Sequence, residues 1–341
     1  MSEKKPLIIC DPYPQTLERI FTPEKRAEIE QIARLVYSDD ERMSDAMFEE
    51  HLGEAVAIIG QTAMPKERLD KAPNLKVIFN VEGNFYQNID YIECFKRNIR
   101  VLNCGEVYAL PVAEMALAMA IDLSRGITWE HMRFREGRER YILDGNHSSR
   151  LLSGSKVGII GFGLLGRSLR PLLEPFNCPV EVYDPWLPEN VIREHNCITV
   201  GLYDLLANNE FIIIMAGVTS ENQGFLGKRE FDLIKEGSKV LLMSRAAVVD
   251  FEEFTNQIEQ GRFLAATDVF PSEPFDKDHR LRQAEGCILS PHRAGGIPQA
   301  FYKIGEMVYD DFALIIRNLS PVRMQAAQIE LVSRLESKPV G

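Results

Sequence analysis

Short apolar runs rich in Ile and Val recur along the chain, each followed by a stretch with helical periodicity, and this alternation limits the possible fold more than any other feature. The runs are PLIIC, AVAIIG (55–60), LKVIFN (75–80), IRVLNC (99–104), KVGIIG (156–161), VEVYD (180–184), FIIIMAG (211–217), KVLLMS (239–244), FLAATDVF (263–270) and CILS (287–290). Nearly continuous apolar strands separated by helices are typical of parallel sheets covered on both faces. The sequence therefore predicts an α/β fold.

Two long helical segments and the chain length indicate how this fold is divided. A chain of 341 residues is most simply organised as two domains. The segment 111–136 begins apolar on nearly all sides, which predicts one long buried helix, and the charged stretch that follows it indicates a domain junction. A second long helix, predicted at 298–318, carries apolar residues at helical spacing and could return the chain to the first domain.

Charge and cysteine content exclude several classes of protein. With 39 Lys and Arg against 50 Asp and Glu, the net charge of −11 disfavours nucleic acid and anionic membranes as partners. The six cysteines are scattered without a CxxC pair, so we expect reduced thiols and no metal site. The first residues carry too short an apolar run for a signal peptide, and we expect no membrane-spanning helix. A cytoplasmic location is therefore expected.

A GxGxxG pattern lies where a predicted strand runs into a predicted helix. Glycines at these positions let the turn close, let backbone approach a pyrophosphate and let the helix pack on the strand. We assign phosphate binding to Gly161, Gly163, Leu164, Leu165 and Gly166. Asp184 ends the next strand, where its carboxylate can bind the adenosine ribose and repel a 2′-phosphate, so NAD is favoured over NADP. The alternative is a glycine turn that only connects strand to helix.

Several segments resemble the D-isomer-specific 2-hydroxyacid dehydrogenase family. They are LLSGSKVGIIGFGLLGR, VTSENQGFLGKREFDLIKEGSKVLLMSRAAVVDFEEF, DVFPSEP and SPHRAGG, in family order over about residues 105–310. The resemblance implies two Rossmann-like parallel-sheet domains, with the NAD domain inserted into a flavodoxin-like substrate domain. Residues 111–310 would form the NAD-binding domain, and residues 1–110 and 311–341 the substrate domain.

The resemblance also implies a catalytic set of Arg245, Glu273 and His292. A planar guanidinium can grip the carboxylate of a 2-oxo acid with paired hydrogen bonds and polarise its carbonyl. A histidine can transfer the proton, and a carboxylate partner fixes its tautomer. Without the resemblance, the favoured interpretation of Arg245 is a surface residue that ends a strand. The usual SRG motif reads Ser244-Arg245-Ala246, so the backbone freedom of glycine is expected to be lost there.

Further cofactor and substrate contacts follow from the same resemblance. Thr219, Ser244 and Asp268 would bind the cofactor, with Asp268 at the nicotinamide amide, although Asp268 could also be an ordinary capping residue. Gly83, Asn84 and Phe85 would bind substrate through a loop that departs from the usual glycine-rich form. If the rings of Phe85 and Tyr86 reshape that pocket, larger 2-oxo acids would be preferred to glyoxylate and pyruvate. The alternative is that both rings belong to the core of the first domain.

These features together predict an NAD-dependent enzyme that transfers hydride between NAD(H) and a 2-hydroxy acid/2-oxo acid pair, the D-isomer by resemblance. The expected partner is a small 2-oxo or 2-hydroxy acid, and the resemblance implies a homodimer. A non-catalytic NAD(H)-sensing interaction protein on the same scaffold is the alternative. A hydrolase would need a nucleophile or a metal set that the sequence does not offer.

Overall fold

The computed structural model describes residues 4–39 and 42–334. The outer ends of the predicted substrate domain, residues 1–3 and 335–341, lie outside the described residues. The described chain forms two compact units. The first unit contains the described residues up to Tyr108, the short segment Thr219–Glu221 and the described residues from Gly296 onward. The second unit contains Ala109–Val218 and Asn222–Gly295.

Strands and helices alternate along the described chain, as the apolar runs predict. The strands are β1 Leu7–Asp11, β2 Arg34–Tyr37, β3 Ala55–Gly60, β4 Val77–Asn80, β5 Arg100–Asn103, β6 Val157–Ile160, β7 Val180–Tyr183, β8 Ile198–Thr199, β9 Phe211–Ile214, β10 Lys239–Leu242, β11 Leu264–Thr267, β12 Cys287–Leu289 and β13 Gln325–Ala326. The α-helices are α1 Leu17–Ile20, α2 Pro23–Ile32, α3 Asp45–Leu52, α4 Lys66–Asp70, α5 Tyr91–Lys96, α6 Glu106–Arg125, α7 Ile127–Arg135, α8 Leu164–Leu173, α9 Glu189–Glu194, α10 Leu202–Asn208, α11 Lys228–Phe231, α12 Phe251–Glu259, α13 Pro298–Ile315 and α14 Ile329–Val332.

The first unit is built on a six-stranded sheet of order β13-β5-β4-β3-β1-β2. Its strands pair in parallel except β13, which runs antiparallel to β5. The order β2-β1-β3-β4-β5 is that of flavodoxin-like proteins. The chain leaves β1 on one side and β3 on the other, so the topological switch point lies between these two strands. This confirms the predicted fold of the unit.

The second unit carries a seven-stranded parallel sheet of order β12-β11-β10-β9-β6-β7-β8. Counted from β6, this is the doubly wound order in which dinucleotides bind at the switch point. That point lies between β6 and β9. The glycine turn follows β6, so the topology alone puts it where a nucleotide is expected.

Each sheet is covered on both faces, as continuous apolar strands require. In the second unit, Ile159 and Ile213 face one buried cluster, while Ile160 and Ile212 face another. In the first unit, Ile8 and Ile9 divide in the same way between two further clusters. Because both faces of each sheet are covered by apolar clusters, polar groups lie at the carboxyl ends of the strands.

The helix predicted at 111–136 is two helices. The first, α6, begins at Glu106, and α7 follows after Gly126, whose φ of +66° stops the first helix. By length and composition α6 could cross a membrane, the one such helix in the described part of the chain, but half of its most apolar window is buried. Ala113 and Ala116 of α6 pack into the core of the second unit.

The predicted domain boundary at 310 is also wrong, because it cuts through α13. The structure places this helix in the first unit, where Ile304, Val308 and Phe312 are fully buried in one core cluster. Gly305 explains the tight fit. A Cβ at this position would lie 2.2 Å from the carbonyl oxygen of Ile20. The boundary therefore falls between Gly295 and Gly296.

Candidate active site and cofactor turn

The glycine turn after β6 is packed so closely that a side chain at two of its glycines would clash with backbone atoms. Gly161 has a φ of +88°, and a Cβ there would lie 2.5 Å from the backbone nitrogen of Ala216, which follows β9. A Cβ on Gly166 would lie 2.8 Å from the carbonyl oxygen of Gly161. The first glycine therefore allows the turn at the switch point, and the last lets α8 approach β6.

Gly163 differs from both, since a Cβ there would meet no atom within 4 Å. The residue precedes α8, and no side chain caps the N-terminus of this helix. The first backbone N–H groups of a helix have no partner within it, and they carry the positive end of the helix dipole. Open space beside Gly163, bordered by the N–H groups of Leu164, Leu165 and Gly166, fits the pyrophosphate of a dinucleotide.

We expect Gly163→Ala to weaken NADH binding about tenfold or more, equivalent to about 1.4 kcal/mol, with an unchanged melting temperature. The added methyl group would occupy the open space without touching protein atoms. Isothermal titration and thermal denaturation measure the two quantities. Gly161→Ala is the matched comparison and should lower the melting temperature itself. An unaltered Kd for NADH in folded Gly163→Ala would contradict this assignment.

Asp184 is tied to the glycine turn by its own carboxylate. Oδ2 accepts a hydrogen bond from the backbone nitrogen of Phe162 (2.8 Å), and Oδ1 accepts from those of Trp186 (3.0 Å) and Leu187 (3.2 Å). These bonds join the end of β7 to the turn after β6. A carboxylate has about four acceptor sites, so capacity for ribose hydroxyls remains. The structure thus brings Asp184 beside the predicted phosphate site.

His292 and Glu273 form a hydrogen-bonded pair in the second unit. Nδ1 of His292 lies 2.6 Å from Oε2 of Glu273, and about seven tenths of each side chain is buried. Burial raises the pKa of the Glu273 carboxyl, but the hydrogen bond and charge of His292 outweigh it and hold the pKa below its usual value, with a smaller contribution from the charge of Arg245. Glu273 therefore stays ionised at neutral pH.

Arg245 follows β10, and its charge reaches this pair. The side chain is half-buried, and Nη1 donates to the carbonyl oxygen of Ser244 at 2.8 Å. Ala246 begins a short 3₁₀ helix, Ala246–Val248, whose backbone any residue can adopt. The expected loss of glycine freedom at Ala246 is therefore of no consequence. The structure brings Arg245, Glu273 and His292 into one unit, as the resemblance implies.

The carboxylate of Asp268 binds the loop that carries His292, and its predicted contact with the nicotinamide stays a prediction. It is 1 % exposed and accepts three hydrogen bonds from the loop that carries His292. The donors are Ser290 Oγ (2.5 Å) and the backbone nitrogens of Arg293 (3.0 Å) and Ala294 (2.9 Å). His292 lies between Ser290 and Arg293 in the chain, and its φ of +47° is uncommon outside glycine. These bonds indicate that Asp268 positions the loop of His292, and the bond from Ser290 is one that the sequence does not predict.

We expect Asp268→Asn to lower kcat about tenfold or more, since a displacement of about 1 Å at a reacting group can cost a hundredfold. The amide offers a donor where the carboxylate accepts from backbone N–H groups, so stability should fall by about 1–3 kcal/mol. Steady-state kinetics and denaturant unfolding measure both. Asp278→Asn, an exposed residue of the same unit, is the control. Lost stability with an unchanged kcat would show that the loop does not depend on Asp268 for catalysis.

Two other predicted cofactor residues, Ser244 and Thr219, are buried. Ser244 is 5 % exposed, and its hydroxyl donates to the carbonyl oxygen of Ile214 at 3.5 Å. Thr219 is 1 % exposed, belongs to the first unit, and its hydroxyl oxygen accepts from the backbone nitrogen of Glu221. The cofactor contacts predicted for both residues stay predictions. The described residues contain no group of three His, Cys, Asp or Glu side chains that could hold a metal ion.

The two aromatic side chains of the predicted substrate loop after β4 are buried. Phe85 and Tyr86 are 2 % and 1 % exposed. The ring of Phe85 meets that of Tyr91 edge to face, and the Tyr91 hydroxyl donates to the Tyr86 carbonyl oxygen at 2.6 Å. Both rings belong to the core, so the expectation that they reshape a pocket is wrong. Asn80 Nδ2 donates to the carbonyl oxygen of Asn84 at 2.7 Å and fixes the turn.

A doubly wound sheet with a glycine turn at its switch point, together with a histidine–carboxylate pair in the same unit, defines a dinucleotide-dependent oxidoreductase. Residues 117–294 match the family model described as "D-isomer specific 2-hydroxyacid dehydrogenase, NAD binding domain". This stretch is more than half of the chain. The chain therefore belongs to the D-isomer specific 2-hydroxyacid dehydrogenase family, and its second unit is the NAD-binding domain.

The chain is similar in sequence and in fold to several dehydrogenases and reductases. A D-3-phosphoglycerate dehydrogenase of Archaeoglobus fulgidus is 28% identical over 79% of this chain, and the match spans only 50% of that protein. A glyoxylate reductase of Thermococcus litoralis is 28% identical over 75% of this chain and 78% of its own length. The crystal structure of a phosphoglycerate oxidoreductase from Rhizobium etli is 40% identical and superposes with a TM-score of 0.85, covering 95% of this chain and 99% of that one.

Proposed function

We propose that this protein is an NAD-dependent D-2-hydroxyacid dehydrogenase, which reduces a 2-oxo acid to the D-2-hydroxy acid and catalyses the reverse oxidation. The observation that carries the proposal is the 2.6 Å hydrogen bond between His292 Nδ1 and Glu273 Oε2. It lies in the NAD-binding unit, with the charge of Arg245 acting on the same carboxylate. A sensor of NAD would not need this set of residues.

The pair can hold and move one proton. A carboxylate only accepts hydrogen bonds, so Nδ1 of His292 carries hydrogen and Nε2 is the nitrogen that exchanges a proton with substrate. When C2 of the 2-oxo acid is reduced, the carbonyl oxygen becomes an alkoxide, and protonated His292 donates to it. In the reverse direction the neutral imidazole removes the proton from the hydroxyl. Ionised Glu273 stabilises the imidazolium form in both directions.

Arg245 would bind the substrate carboxylate and polarise the carbonyl at C2, because its guanidinium can donate two parallel hydrogen bonds. NADH, when bound, supplies the hydride that reduces C2. The reaction is balanced, because the hydride and the proton of His292 together convert one carbonyl into one alcohol.

The test is oxidation of D- and L-2-hydroxy acids in the presence of NAD⁺, followed by the absorbance of NADH. The proposal predicts turnover with the D-isomer of glycerate, of lactate or of a longer 2-hydroxy acid, and none with the L-isomer. Equal turnover of both isomers would contradict the stereochemical assignment. No turnover of either, in protein that binds NADH, would favour a non-catalytic role.

We predict that the enzyme prefers NADH to NADPH by at least about tenfold, because Asp184 would face a 2′-phosphate with a like charge, a contact that costs on the order of several kcal/mol. Dissociation constants for both reduced cofactors measure the preference. Asp184→Ser should narrow the gap by removing the charge, while Glu189→Ser, on the exposed start of α9, should leave it unaltered. Tighter binding of NADPH by the unmodified enzyme would overturn the prediction.

We further propose a cytoplasmic homodimer. Seven large apolar side chains of one segment of the second unit are more than half exposed, and four of them border a groove of about 510 Å³. They are Ile127, Met132, Phe134, Tyr141, Ile142, Leu143 and Leu151. An exposed apolar patch of this kind marks an interaction site. Sedimentation equilibrium tests this, and Phe134→Glu with Ile142→Glu should convert a dimer to monomers.

A further inference from the structure

Glu273 lies in the segment 270–275, the Glu273 loop, which follows β11 in the second unit. Both carboxylate oxygens of Glu273 are engaged. Oε1 accepts a hydrogen bond from the backbone nitrogen of Phe270 (3.2 Å), and Oε2 faces Nδ1 of His292. The neighbours of Glu273 in the chain are exposed on both sides. Burial of the adjacent residues therefore does not hold the loop in place, and its position depends on contacts at its ends.

Two phenylalanines close the Glu273 loop by stacking. Phe270 and Phe275 lie at its two ends, with ring centroids 4.3 Å apart and ring planes at 28°. Phe251, the first residue of α12, meets both rings at an angle, at centroid distances of 6.2 Å and 5.9 Å. Stacked and edge-to-face pairs are the arrangements that aromatic rings prefer. Both ends of the loop are therefore fastened to each other and to one helix, with Glu273 between them.

Phe275 makes two further contacts beyond this stack. The guanidinium of Arg282 lies 5.2 Å from the centroid of its ring, and the same group donates to the backbone carbonyl oxygens of Asp276 (Nε, 2.7 Å) and Phe275 (Nη2, 2.8 Å). The ring of His279 lies 4.7 Å away. A flat aromatic ring can stack and can attract a guanidinium to its face, whereas an aliphatic side chain can do neither. Phe275 thus joins the Glu273 loop to the segment that follows it.

We propose that Phe275 is a positioning residue: its ring, stacked on Phe270 and contacted by Arg282, holds the loop in which the carboxylate of Glu273 faces His292. The inference rests on the proposed function, and Phe275 acts through Glu273 and not on the reacting atoms. A catalytic group has to be held within about 0.5 Å of its productive position. Because Phe275 is half-buried at the edge of its core cluster, loss of the ring should weaken the bond between Glu273 and His292 without unfolding the unit.

The first test is steady-state kinetics with NADH and whichever of glyoxylate, pyruvate and hydroxypyruvate the unmodified enzyme reduces fastest. Phe275→Ala should lower kcat about tenfold or more, since a displacement of about 1 Å at a reacting group can cost a hundredfold, while KM and the Kd for NADH stay unchanged. Phe275→Tyr keeps the ring and should keep the kcat. Phe176→Ala is the control, because it removes a half-buried ring from a different core cluster of the same unit. It should leave kcat unaltered.

A double variant separates positioning from general damage. In a Glu273→Ala background no carboxylate is left to position, so adding Phe275→Ala should lower kcat little further. An equal fold loss in both backgrounds would overturn the inference, since it would indicate that the ring supports the fold and not Glu273. If Phe275→Ala does not fold, Phe275→Leu takes its place, because it keeps an apolar side chain but not the flat ring. A kcat of Phe275→Leu equal to that of the unmodified enzyme would then count against the positioning role.

A spectroscopic measurement distinguishes this inference from the proposed function. The hydrogen on Nδ1 of His292 is bonded to a carboxylate and should give a downfield ¹H NMR signal, identified by its loss in His292→Ala. Phe275→Ala should move this signal upfield or broaden it, whereas Phe275→Tyr and Phe176→Ala should leave it in place. The measurement needs no turnover, so an inactive protein would contradict the proposed function alone. An unmoved signal in folded Phe275→Ala would contradict the positioning role.

Discussion

Replacing His292 by alanine is expected to lower kcat about 10²- to 10⁴-fold, the usual contribution of a general acid or base, and to leave the Kd for NADH unchanged. The reason is that the imidazole holds the proton that the forming alkoxide needs, whereas the cofactor turn lies at the end of a different strand, β6. Steady-state kinetics with a 2-oxo acid and NADH, and titration of NADH by fluorescence, measure the two quantities separately.

His131→Ala is the matched control, because His131 is an exposed residue of α7 in the same unit. It should have the kcat of the unmodified enzyme. If His292→Ala retains kcat within threefold, a difference of about 0.7 kcal/mol, His292 has no part in proton transfer. The kcat of Glu273→Gln should lie between those of His131→Ala and His292→Ala. The neutral amide keeps a hydrogen bond to Nδ1 of His292 but no longer stabilises the imidazolium.

Arg245→Ala is expected to lower kcat/KM by about 30- to several thousandfold, because truncating one partner of a charged hydrogen-bonded pair costs about 2–5 kcal/mol. In contrast to His292→Ala, both KM and kcat should change, since Arg245 would bind the ground state and polarise the carbonyl. Arg245→Lys should recover only part of the loss, because an ammonium group lacks the planar pair of donors. Kinetics over a full range of substrate concentration separate kcat from KM.

The pH profile gives a second test of Arg245. Its charge helps to lower the pKa of Glu273, so removing it should raise that pKa and move the acid limb of kcat/KM to higher pH. Arg229→Ala removes an exposed guanidinium that stacks on Tyr203 in the same unit and should shift neither KM nor the acid limb. A KM unchanged in Arg245→Ala would exclude a role for Arg245 in substrate binding.

Much of the fold follows from the sequence, since a fully buried strand is recorded in the chain as an uninterrupted apolar run. All ten predicted strands occur, but β2, β8 and β13 were missed. These three are short edge strands with largely half-buried or exposed residues. An edge strand faces solvent on one side and needs no apolar run, so its sequence resembles that of a loop.

The site was predictable where a motif is local and not where partners are distant in sequence. The glycine turn needs only adjacent residues, and its spacing is visible in the chain. Asp268 holds a loop more than 20 positions further on, and no local pattern distinguishes that role from a cofactor contact. Phe85 was assigned from its neighbour Gly83, whereas its burial depends on Tyr91 and on the core around it.

The central claim is that this chain reduces a 2-oxo acid with NADH through the His292–Glu273 pair. The most direct test is oxidation of NADH by the unmodified protein and by His292→Ala, each with glyoxylate, pyruvate, hydroxypyruvate and 3-phosphohydroxypyruvate. We predict that the unmodified protein oxidises one NADH for each 2-hydroxy acid formed, the D-isomer wherever the product has a stereocentre, and that the variant binds NADH equally well but loses most of the turnover. Tight NADH binding without oxidation by the unmodified protein, with every one of these acids, would contradict the account.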